Sequence, residues 1–421
     1  MNVDDMILIS IDDHVVEPPD MFKGRMPAKY ADAAPRIVAD QDGVESWVFE
    51  GAPVSTTLGL NAVVTWPNEE WGFDPASMAE MRPGSYDVHE RIRDMNRNGV
   101  FQSVCFPTFV GFSGKLFMDT KDKDLALATV QAYNDWHIEG WCGAYPGRFI
   151  PNAIPAIWDA ELLAGEVHRV AKKGCRAITM PELPHLLGLP SYHTDWWDPF
   201  WNAVSDEDFT VNLHIGQGFA AITTAPEAPI ETLLVLSTQV SVIAAQDLLW
   251  GPVFRKYPNV KVAWSEGGIG WIPFFLDRCD RTYINQTWAG QDFGGKLPSE
   301  VFRDHSLACY VTDPSSLYNR ERIGMDIIAW EADYPHSDCL WPDAPEQVMA
   351  ELTAAGCNDQ EIEKITWQNT ARFMRFDPFA VIPKERATVG ALRALDPNVD
   401  TAVHSRAEWK RMYAEKQVAS V

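Results

Sequence analysis

The sequence lacks the short motifs that mark several common catalytic mechanisms. It has no GxSxG nucleophile elbow, Walker phosphate loop, GxGxxG dinucleotide fingerprint or HExxH zinc helix. Each of these patterns places a nucleophile, a phosphate or a metal at a defined turn or helix. Their absence argues against nucleophilic catalysis by serine or cysteine.

Basic residues are scarce, whereas acidic residues are abundant. The 421 residues include 35 Lys and Arg against 59 Asp and Glu, which gives a formal net charge of −24. Nucleic acids and anionic membrane surfaces are bound through clustered Lys and Arg. We therefore expect neither as a partner, and we expect a small-molecule substrate instead.

Paired cysteines and a signal segment are also missing. The seven cysteines form no CxxC pair, and Cys105, Cys175 and Cys309 lie within apolar runs, where buried thiols are common. The N-terminus is acidic, unlike the basic start of a signal peptide. No apolar run approaches the roughly 20 residues that span a bilayer. These features predict a cytoplasmic protein without disulfides.

Short apolar runs separated by helical patterns are what the chain has in abundance. Near-continuous apolar strands that alternate with helices indicate a parallel sheet covered on its faces. Eight such strands predict a (β/α)8 TIM barrel, an α/β fold whose catalytic groups lie at the carboxyl ends of the strands. The predicted strands are Ile7–Asp12, Val100–Pro107, Phe149–Ile157, Cys175–Pro181, Thr210–Gly216, Val260–Glu266, Leu307–Asp313 and Asp326–Asp333.

Two segments fall outside the barrel pattern. We predict a metal-dependent barrel domain over residues 1–376, in which residues 18–85 form a long insertion after the first strand. Loops of that length are usually functional, so we expect the insertion to be a lid or a subunit contact. Residues 377–421 form a C-terminal extension, which we expect to pack on a partner subunit of a homo- or hetero-oligomer.

The first predicted strand ends in the most informative motif of the chain, Asp12-Asp13-His14. Side chains two residues apart in a strand point to the same side, so Asp12 and His14 are aimed together as ligands of one metal ion. A carboxylate and an imidazole suit Zn, Mn, Fe or Co. The alternative is that the pair merely caps a turn.

Three further strand ends carry groups of the same kind. His214 ends the fifth predicted strand as a candidate metal ligand, and Glu266 ends the sixth as a candidate base or ligand. Asp333 follows the eighth strand, where it can bind a metal or accept a proton. The alternatives are that His214 is a histidine at the rim of the barrel, that Glu266 forms a salt bridge in a loop, and that Asp333 is a turn carboxylate.

The residues that follow these motifs add further candidates. His336 and Asp338 come shortly after Asp333, and we predict that they support the ligands by hydrogen bonds or ligate a second metal. Glu17 follows the first strand. It either reaches the metal or hydrogen-bonds a neighbouring loop.

Five segments, taken in order, resemble the amidohydrolase-related family. This is the branch of the amidohydrolase superfamily that contains aminocarboxymuconate-semialdehyde decarboxylase and the dihydroxybenzoate decarboxylases. The resemblance covers roughly residues 7–376 and implies a (β/α)8 barrel with a metal at its mouth, held by Asp12, His14, His214 and Asp333. The segments are Asp12–Pro18, Trp197–Trp201, Val211–Gly216, Glu266–Pro273 and Asp333–His336.

The chain departs from this family pattern at two places. Asp12 stands where many members have His or Glu, and Glu266 stands where decarboxylase members have a histidine near the metal water. The site is therefore enriched in carboxylate, and with His336 and Asp338 it suits one or two divalent metals, either Zn or Mn and Fe. Some members, of the 2-aminoisobutyrate hydroxylase type, use a dinuclear site for oxygen-dependent hydroxylation.

These observations lead to one main hypothesis and two alternatives. The main hypothesis is a metal-dependent hydrolase or decarboxylase that acts on a small carboxylate or cyclic substrate, with Asp333, Glu266 and His336 as the catalytic residues. The first alternative is a dinuclear Fe/Mn-type monooxygenase on the same barrel. The second is an inactive scaffold subunit of a hetero-oligomer.

Overall fold

The computed structural model describes residues 1–216 and 223–419, and it divides the chain into two compact units. The first unit comprises Met1–Ile154, Ala332–Gln347 and Phe379–Val421, and the second comprises Pro155–Glu331 and Val348–Pro378. The N-terminal strand and the 332–347 segment therefore belong to the same unit, although they lie near opposite ends of the chain.

The strands of the described residues are short and mostly buried. In chain order they are β1 (Leu8–Val15), β2 (Arg36–Ala39), β3 (Glu45–Phe49), β4 (Ala52–Pro53), β5 (Val100–Pro107), β6 (Phe149–Ile150), β7 (Asn152–Ala153), β8 (Ala177–Met180), β9 (Thr210–His214), β10 (Lys261–Ser265), β11 (Ser306–Tyr310) and β12 (Ile328–Trp330).

Helices connect these strands. In chain order they are α1 (Val88–Asn98), α2 (Lys123–Asp135), α3 (Ala160–Ala171), α4 (Asp198–Asp206), α5 (Ile230–Ser237), α6 (Gln239–Trp250), α7 (Val253–Lys256), α8 (Ile272–Asn285), α9 (Pro298–His305), α10 (Pro314–Leu317), α11 (Arg320–Ile323), α12 (Ala344–Ala354), α13 (Asp359–Glu363), α14 (Asn369–Phe373), α15 (Val389–Arg393) and α16 (Arg406–Ala419).

The first unit contains two separate sheets. β1, β5 and β6 pair in parallel, and all of their residues are buried. β2, β3 and β4 form an antiparallel sheet inside the 18–85 insertion, which the sequence analysis did not predict. Several of its residues are exposed, so the apolar continuity that identifies a barrel strand is missing there.

The second unit contains one continuous run of parallel strands. They are hydrogen-bonded in the order β12-β11-β10-β9-β8, so each strand pairs with its neighbour in the sequence. β9 and β10 pair in register over their full length and end together at His214 and Ser265. The carboxyl ends of the strands that carry His214 and Glu266 therefore lie side by side.

All eight predicted strands are present, and the third is divided into β6 and β7. The helix boundaries also follow local chemistry. The Asp87 carboxylate accepts hydrogen bonds from the amides of His89 and Glu90 at the start of α1, and Gly99 ends this helix with a left-handed φ of 73°. An acidic N-cap is the expected start signal of such a helix, and a C-terminal glycine is the expected stop signal.

Residues Ile230–Trp250 form a more apolar segment than the sequence analysis expected. An 18-residue window of this 21-residue span has a mean hydropathy of 1.5, and 33% of that window is buried, so one helical segment among the described residues is long and apolar enough to cross a membrane by length and composition alone. The expectation that no apolar run approaches this length is not overturned, because polar residues interrupt the segment. One such helix is weak evidence, since core helices pass the same test.

The insertion and the C-terminal extension share a core within the first unit. Val63 and Trp66 pack against Trp409 of α16. The buried Glu80 pairs with Arg406 at 3.1 Å and with Lys410 at 2.8 Å. The buried contact between Trp66 and Trp409 and these two ion pairs hold α16 against the insertion.

Candidate metal centre

The end of β1 brings Asp12 and His14 together, as their spacing predicts. Both side chains are fully buried, and His14 Nε2 lies 3.4 Å from Asp12 Oδ1. The strand therefore presents a carboxylate and an imidazole on one side, although its pairing with β5 is irregular between Ser10 and Asp13.

The segment after β12 adds Asp333 and His336 to this pair. Asp333 Oδ1 lies 3.3 Å from His14 Nε2 and 2.8 Å from His336 Nδ1. The His14 and His336 rings stack with their centroids 3.8 Å apart. One ligand atom from each of His14, Asp333 and His336 lies within 4.8 Å of the other two, which is the spacing of donors around a single metal ion.

Backbone hydrogen bonds hold the two segments in this position. The Asp333 amide donates to the Asp12 carbonyl at 2.8 Å, and the His14 amide donates to the Tyr334 carbonyl at 2.7 Å. Asp333 itself has a left-handed φ of 54°. Such backbone geometry costs energy for a residue other than glycine and is concentrated at functional sites.

This donor set fits a divalent metal. Burial alone raises the pKa of Asp333, but the adjacent imidazoles of His336 and His14 outweigh it and hold the pKa below its ordinary value. Among the described residues, neither oxygen of Asp333 receives a hydrogen bond of regular geometry. A buried carboxylate in this state is expensive unless a cation compensates it. Carboxylates and imidazoles together suit Zn, Mn and Fe.

A network behind the ligands was not visible in the sequence. The buried Asp13 carboxylate accepts hydrogen bonds from the Ser103 hydroxyl and from the Tyr334 amide, the latter at 3.1 Å. Arg91 donates to the His14 carbonyl at 2.5 Å and to the Gly84 carbonyl at 2.6 Å. Burial raises the pKa of Asp13 to about 6, with Arg91 opposing the rise. These groups fix the backbone on both sides of the ligands.

Glu17 hydrogen-bonds a neighbouring loop, the second of its two predicted roles. Its carboxylate accepts hydrogen bonds from the amides of Thr108 and Phe109, each at 2.9 Å, and from the Tyr133 hydroxyl at 3.2 Å. Burial raises the pKa of Glu17 to about 7, and the amide hydrogen bonds partly offset this rise. The same loop carries Phe112, whose ring lies 4.8 Å from the His14 ring.

The insertion contacts the segment that carries Asp333 and His336. The Val64 amide donates to the Pro335 carbonyl at 3.0 Å, and the Asn61 side chain donates to the Ser337 hydroxyl at 3.1 Å. Val64 also packs against Tyr334 and Trp341. Asp338 is exposed and lies outside the groups of close donors found among the described residues.

In the second unit, His214 and Glu266 form a close pair. His214 Nδ1 lies 2.6 Å from the Ile215 carbonyl, which only accepts, so Nδ1 carries the proton and Nε2 keeps its lone pair. This Nε2 lies 3.4 Å from Glu266 Oε2. An imidazole in this tautomer is ready to bind a metal or to accept a proton.

Glu331 is a buried residue beside this pair that sequence reasoning missed. It is fully buried directly after β12, and its Oε1 accepts the Glu266 amide at 3.0 Å. Glu266 has a left-handed φ of 56°, so this hydrogen bond stabilises a strained turn that carries a candidate catalytic side chain. The only sequence signal was a charged residue at the end of an apolar strand.

Comparisons with known proteins agree with this fold, and they identify an α/β barrel enzyme. The family model described as amidohydrolase matches residues 53–376, more than half of the chain, so the chain belongs to the amidohydrolase family. The resemblance drawn from the sequence is thereby confirmed at the level of the family. A comparison with curated protein sequences gives no match.

Three solved structures of similar fold illustrate the range of these proteins. An amidohydrolase of Mycobacterium avium subsp. paratuberculosis is 20% identical with a TM-score of 0.69, over 87% of this chain and 99% of its own. A 5-carboxyvanillate decarboxylase of Sphingomonas paucimobilis is 21% identical with a TM-score of 0.56, over 72% and 88%. A dihydroxybenzoic acid decarboxylase of Polaromonas, solved with manganese and 2-nitroresorcinol, is 20% identical with a TM-score of 0.56, over 73% and 90%. These likenesses confirm the predicted barrel class.

Proposed function

We propose that the protein is a metal-dependent lyase that removes a carboxylate group from a small carboxylate or cyclic substrate. The observation that carries this proposal is the buried group of His14, Asp333 and His336 with Asp12 beside it, a donor set suited to a divalent metal. The decarboxylases among the proteins of similar fold support decarboxylation as the class of reaction.

We assign the metal to Asp12, His14 and Asp333, with His336 as a further ligand or as the proton partner of Asp333. The strand-end argument from the sequence adds His214 as another ligand. When bound, a divalent metal polarises a substrate oxygen and stabilises negative charge that develops on it.

The chain's own residues would carry the proton. In decarboxylation the bond between the carboxylate and its neighbouring carbon breaks, carbon dioxide leaves, and that carbon keeps the electron pair and takes a proton. We assign this proton delivery to Glu266, whose side chain is 24% exposed and lies beside His214. Asp333 Oδ1 and His336 Nδ1, 2.8 Å apart, form a second pair between which a proton can move.

Hydrolysis is the second candidate, and the match to the amidohydrolase family favours it. In that reaction the Asp333–His336 pair would take the proton of the attacking water. The oxygenase and inactive-scaffold alternatives are not favoured by these comparisons.

The test is an assay of the purified protein, loaded with Mn²⁺, against a panel of small aromatic and aliphatic carboxylates and cyclic amides. We expect carbon dioxide release without oxygen uptake, and we expect Asp333→Asn to abolish it. Water addition without carbon dioxide would transfer the assignment to hydrolysis. Oxygen uptake coupled to hydroxylated product would contradict both.

We further propose that the protein assembles with copies of itself or related chains and acts in the cytoplasm. None of the seven cysteines, which all lie within the described residues, forms a disulfide, and this suits a reducing compartment. Light scattering of the purified protein measures the assembly, and a monomer at micromolar concentration would contradict that part of the proposal.

A further inference from the structure

A basic cleft lies in the second unit at the amino-terminal end of β10. It has a volume of about 580 Å³, and its walls include Arg255, Lys261, Lys296 and His305. Lys261 is the first residue of β10, and Glu266 directly follows the last. With a rise of about 3.3 Å per residue, the two ends of this strand are roughly 13 Å apart. The cleft is therefore separate from the His214–Glu266 pair.

The cleft carries more positive charge than its carboxylates compensate. Lys296 pairs with Asp304 at 2.7 Å. Lys261 Nζ donates to the backbone carbonyl of Asp304, and Arg255 donates to the Trp250 carbonyl at 3.3 Å. Within the described part of the chain, no carboxylate lies at ion-pair distance from Lys261 or Arg255. In a chain with a net charge of −24, two such cations in one cleft are unusual.

Two neighbouring guanidinium groups act on Lys261, and one of them, that of Arg375, is itself paired with Asp208 at 2.6 Å. Burial lowers the pKa of Lys261, and the guanidinium groups of Arg375 and Arg372 lower it further, more than Asp304 restores it. The other carboxylate of the cleft, Asp292, uses its Oδ1 to accept the Gly294 amide at 2.8 Å. An anion bound in the cleft would relieve this repulsion between cations.

A buried imidazole supplies a hydrogen-bond acceptor to the same cleft. His305 is 4% exposed, and its ring stacks on Phe254 with centroids 4.3 Å apart. Its Nδ1 donates to the Val260 carbonyl at 2.7 Å, so Nε2 carries the lone pair. Burial lowers the pKa of His305 to about 4, and the ring is neutral at neutral pH. Nε2 can therefore accept a hydrogen bond from a ligand hydroxyl.

The loop that carries Lys296 has a sequence associated with phosphate. Gly290, Gly295 and Lys296 have the GxxxxGK spacing of a phosphate-binding loop, while Leu297 replaces the hydroxyl residue that holds Mg²⁺ in nucleotide-hydrolysing proteins. Gly294 and Gly295 have left-handed φ values of 64° and 84°. Successive glycines of this kind turn the backbone sharply. The amides of Gly294, Lys296 and Leu297 donate to protein acceptors, so the loop would contribute the Lys296 ammonium to an anion site.

We propose that the basic cleft is a binding site for a small organic phosphate. Lys261, Arg255 and Lys296 would neutralise the phosphate, since ammonium and guanidinium groups are the usual phosphate partners. His305 Nε2 would accept a hydroxyl of the ligand, and Phe254 would line its carbon skeleton. The cleft volume falls within the range of small-molecule sites and exceeds the needs of inorganic phosphate alone.

Isothermal titration calorimetry tests this proposal with inorganic phosphate and phenyl phosphate as probes, in sodium chloride of matched ionic strength. We expect saturable binding, tighter for phenyl phosphate, and at least a tenfold loss of affinity in Lys261→Met and in Arg255→Gln. Lys256→Met is the matched control. This substitution also removes one cation, but that cation is paired with Asp198 at 2.9 Å. Its affinity should equal that of the wild type.

The His14→Ala variant separates the cleft from the metal centre. Phosphate binding that persists in His14→Ala and disappears in Lys261→Met supports the cleft, whether or not the proposed lyase activity is found. Binding that disappears in His14→Ala and survives in Lys261→Met would place the anion at the metal and overturn the proposal. Equal losses in Lys261→Met and Lys256→Met, or no saturable binding to the wild type, would overturn it as well.

Discussion

The two units carry their candidate catalytic groups in different ways. In the first unit, Asp333 is 1% exposed and lies against two imidazoles, one of which, His14, is in a strand. In the second unit, Glu266 is 24% exposed and contacts one imidazole, His214. A closed group of donors suits a tightly held cation, whereas a partly exposed carboxylate suits proton exchange with substrate or water. We therefore propose that the buried donors Asp12, His14 and Asp333 of the first unit act as the metal holder, and that Glu266 of the second unit carries the proton.

The largest expected effect is the loss of metal from the holder. His14→Ala removes the imidazole that lies between Asp12 and Asp333, so two buried carboxylates would face each other with less compensation. We expect elemental analysis to find the divalent metal of the wild type reduced to background, together with loss of turnover. His89→Ala is the control, since the exposed His89 ring contacts Tyr145 and the substitution leaves its backbone amide, which donates to Asp87, in place. Retained metal and activity in His14→Ala would remove the distinction between the units.

Glu266→Gln tests the proton-carrying role of the second unit. The substitution keeps the size of the side chain and removes its acid–base function, which is typically worth 10²–10⁴-fold in rate. We expect turnover to fall by about this factor while the metal content stays unchanged. If Glu266→Gln instead lost its metal, Glu266 would belong to the holder and the comparison would fail.

Arg91→Met tests the network behind the first unit's ligands. Arg91 is fully buried, donates to the His14 and Gly84 carbonyls, and stacks over the Tyr334 ring at 4.4 Å. Removing one partner of a buried charged network typically costs about 3–5 kcal/mol. Chemical denaturation should show this loss.

The matched control for Arg91→Met lies on the same helix. Arg93 is half-exposed and pairs with Glu90 at 2.9 Å, so Arg93→Met should cost less than about 1 kcal/mol. Equal effects of the two substitutions would show that the buried network contributes nothing beyond helix charge.

Glu17→Gln is expected to change the pH dependence of stability. Because the pKa of Glu17 rises from 4.5 to about 7 on folding, the folded protein holds this proton more tightly than the unfolded chain. The resulting stability is fully present below pH 4.5 and is lost as the pH rises through 7. A difference of this size corresponds to ~3 kcal/mol.

Denaturation of the wild type and Glu17→Gln between pH 4.5 and 8 measures this effect. Stability should fall with rising pH more steeply in the wild type than in Glu17→Gln. Parallel curves would mean that Glu17 keeps its ordinary pKa and that its hydrogen bonds to the Thr108 and Phe109 amides fully offset its burial.

The sequence predicted the strands and the Asp12–His14 pair of the site, because both follow from neighbouring residues in the chain. Alternation along β1 places Asp12 beside His14, and apolar continuity identifies the eight buried strands. Glu331 and the Asp13–Arg91 network could not be predicted, because their partners lie far away in the sequence. The β2–β4 sheet was missed since its residues are too exposed to give an apolar run.

Anomalous diffraction from crystals of the Mn²⁺-loaded protein tests the central claim most directly. The account predicts a manganese peak at coordination distance, about 2.0–2.3 Å, from a carboxylate oxygen of Asp12 or Asp333 and from a ring nitrogen of His14. A peak elsewhere, with these three side chains still hydrogen-bonded only to protein, would contradict the assignment of the buried donor group as a metal centre.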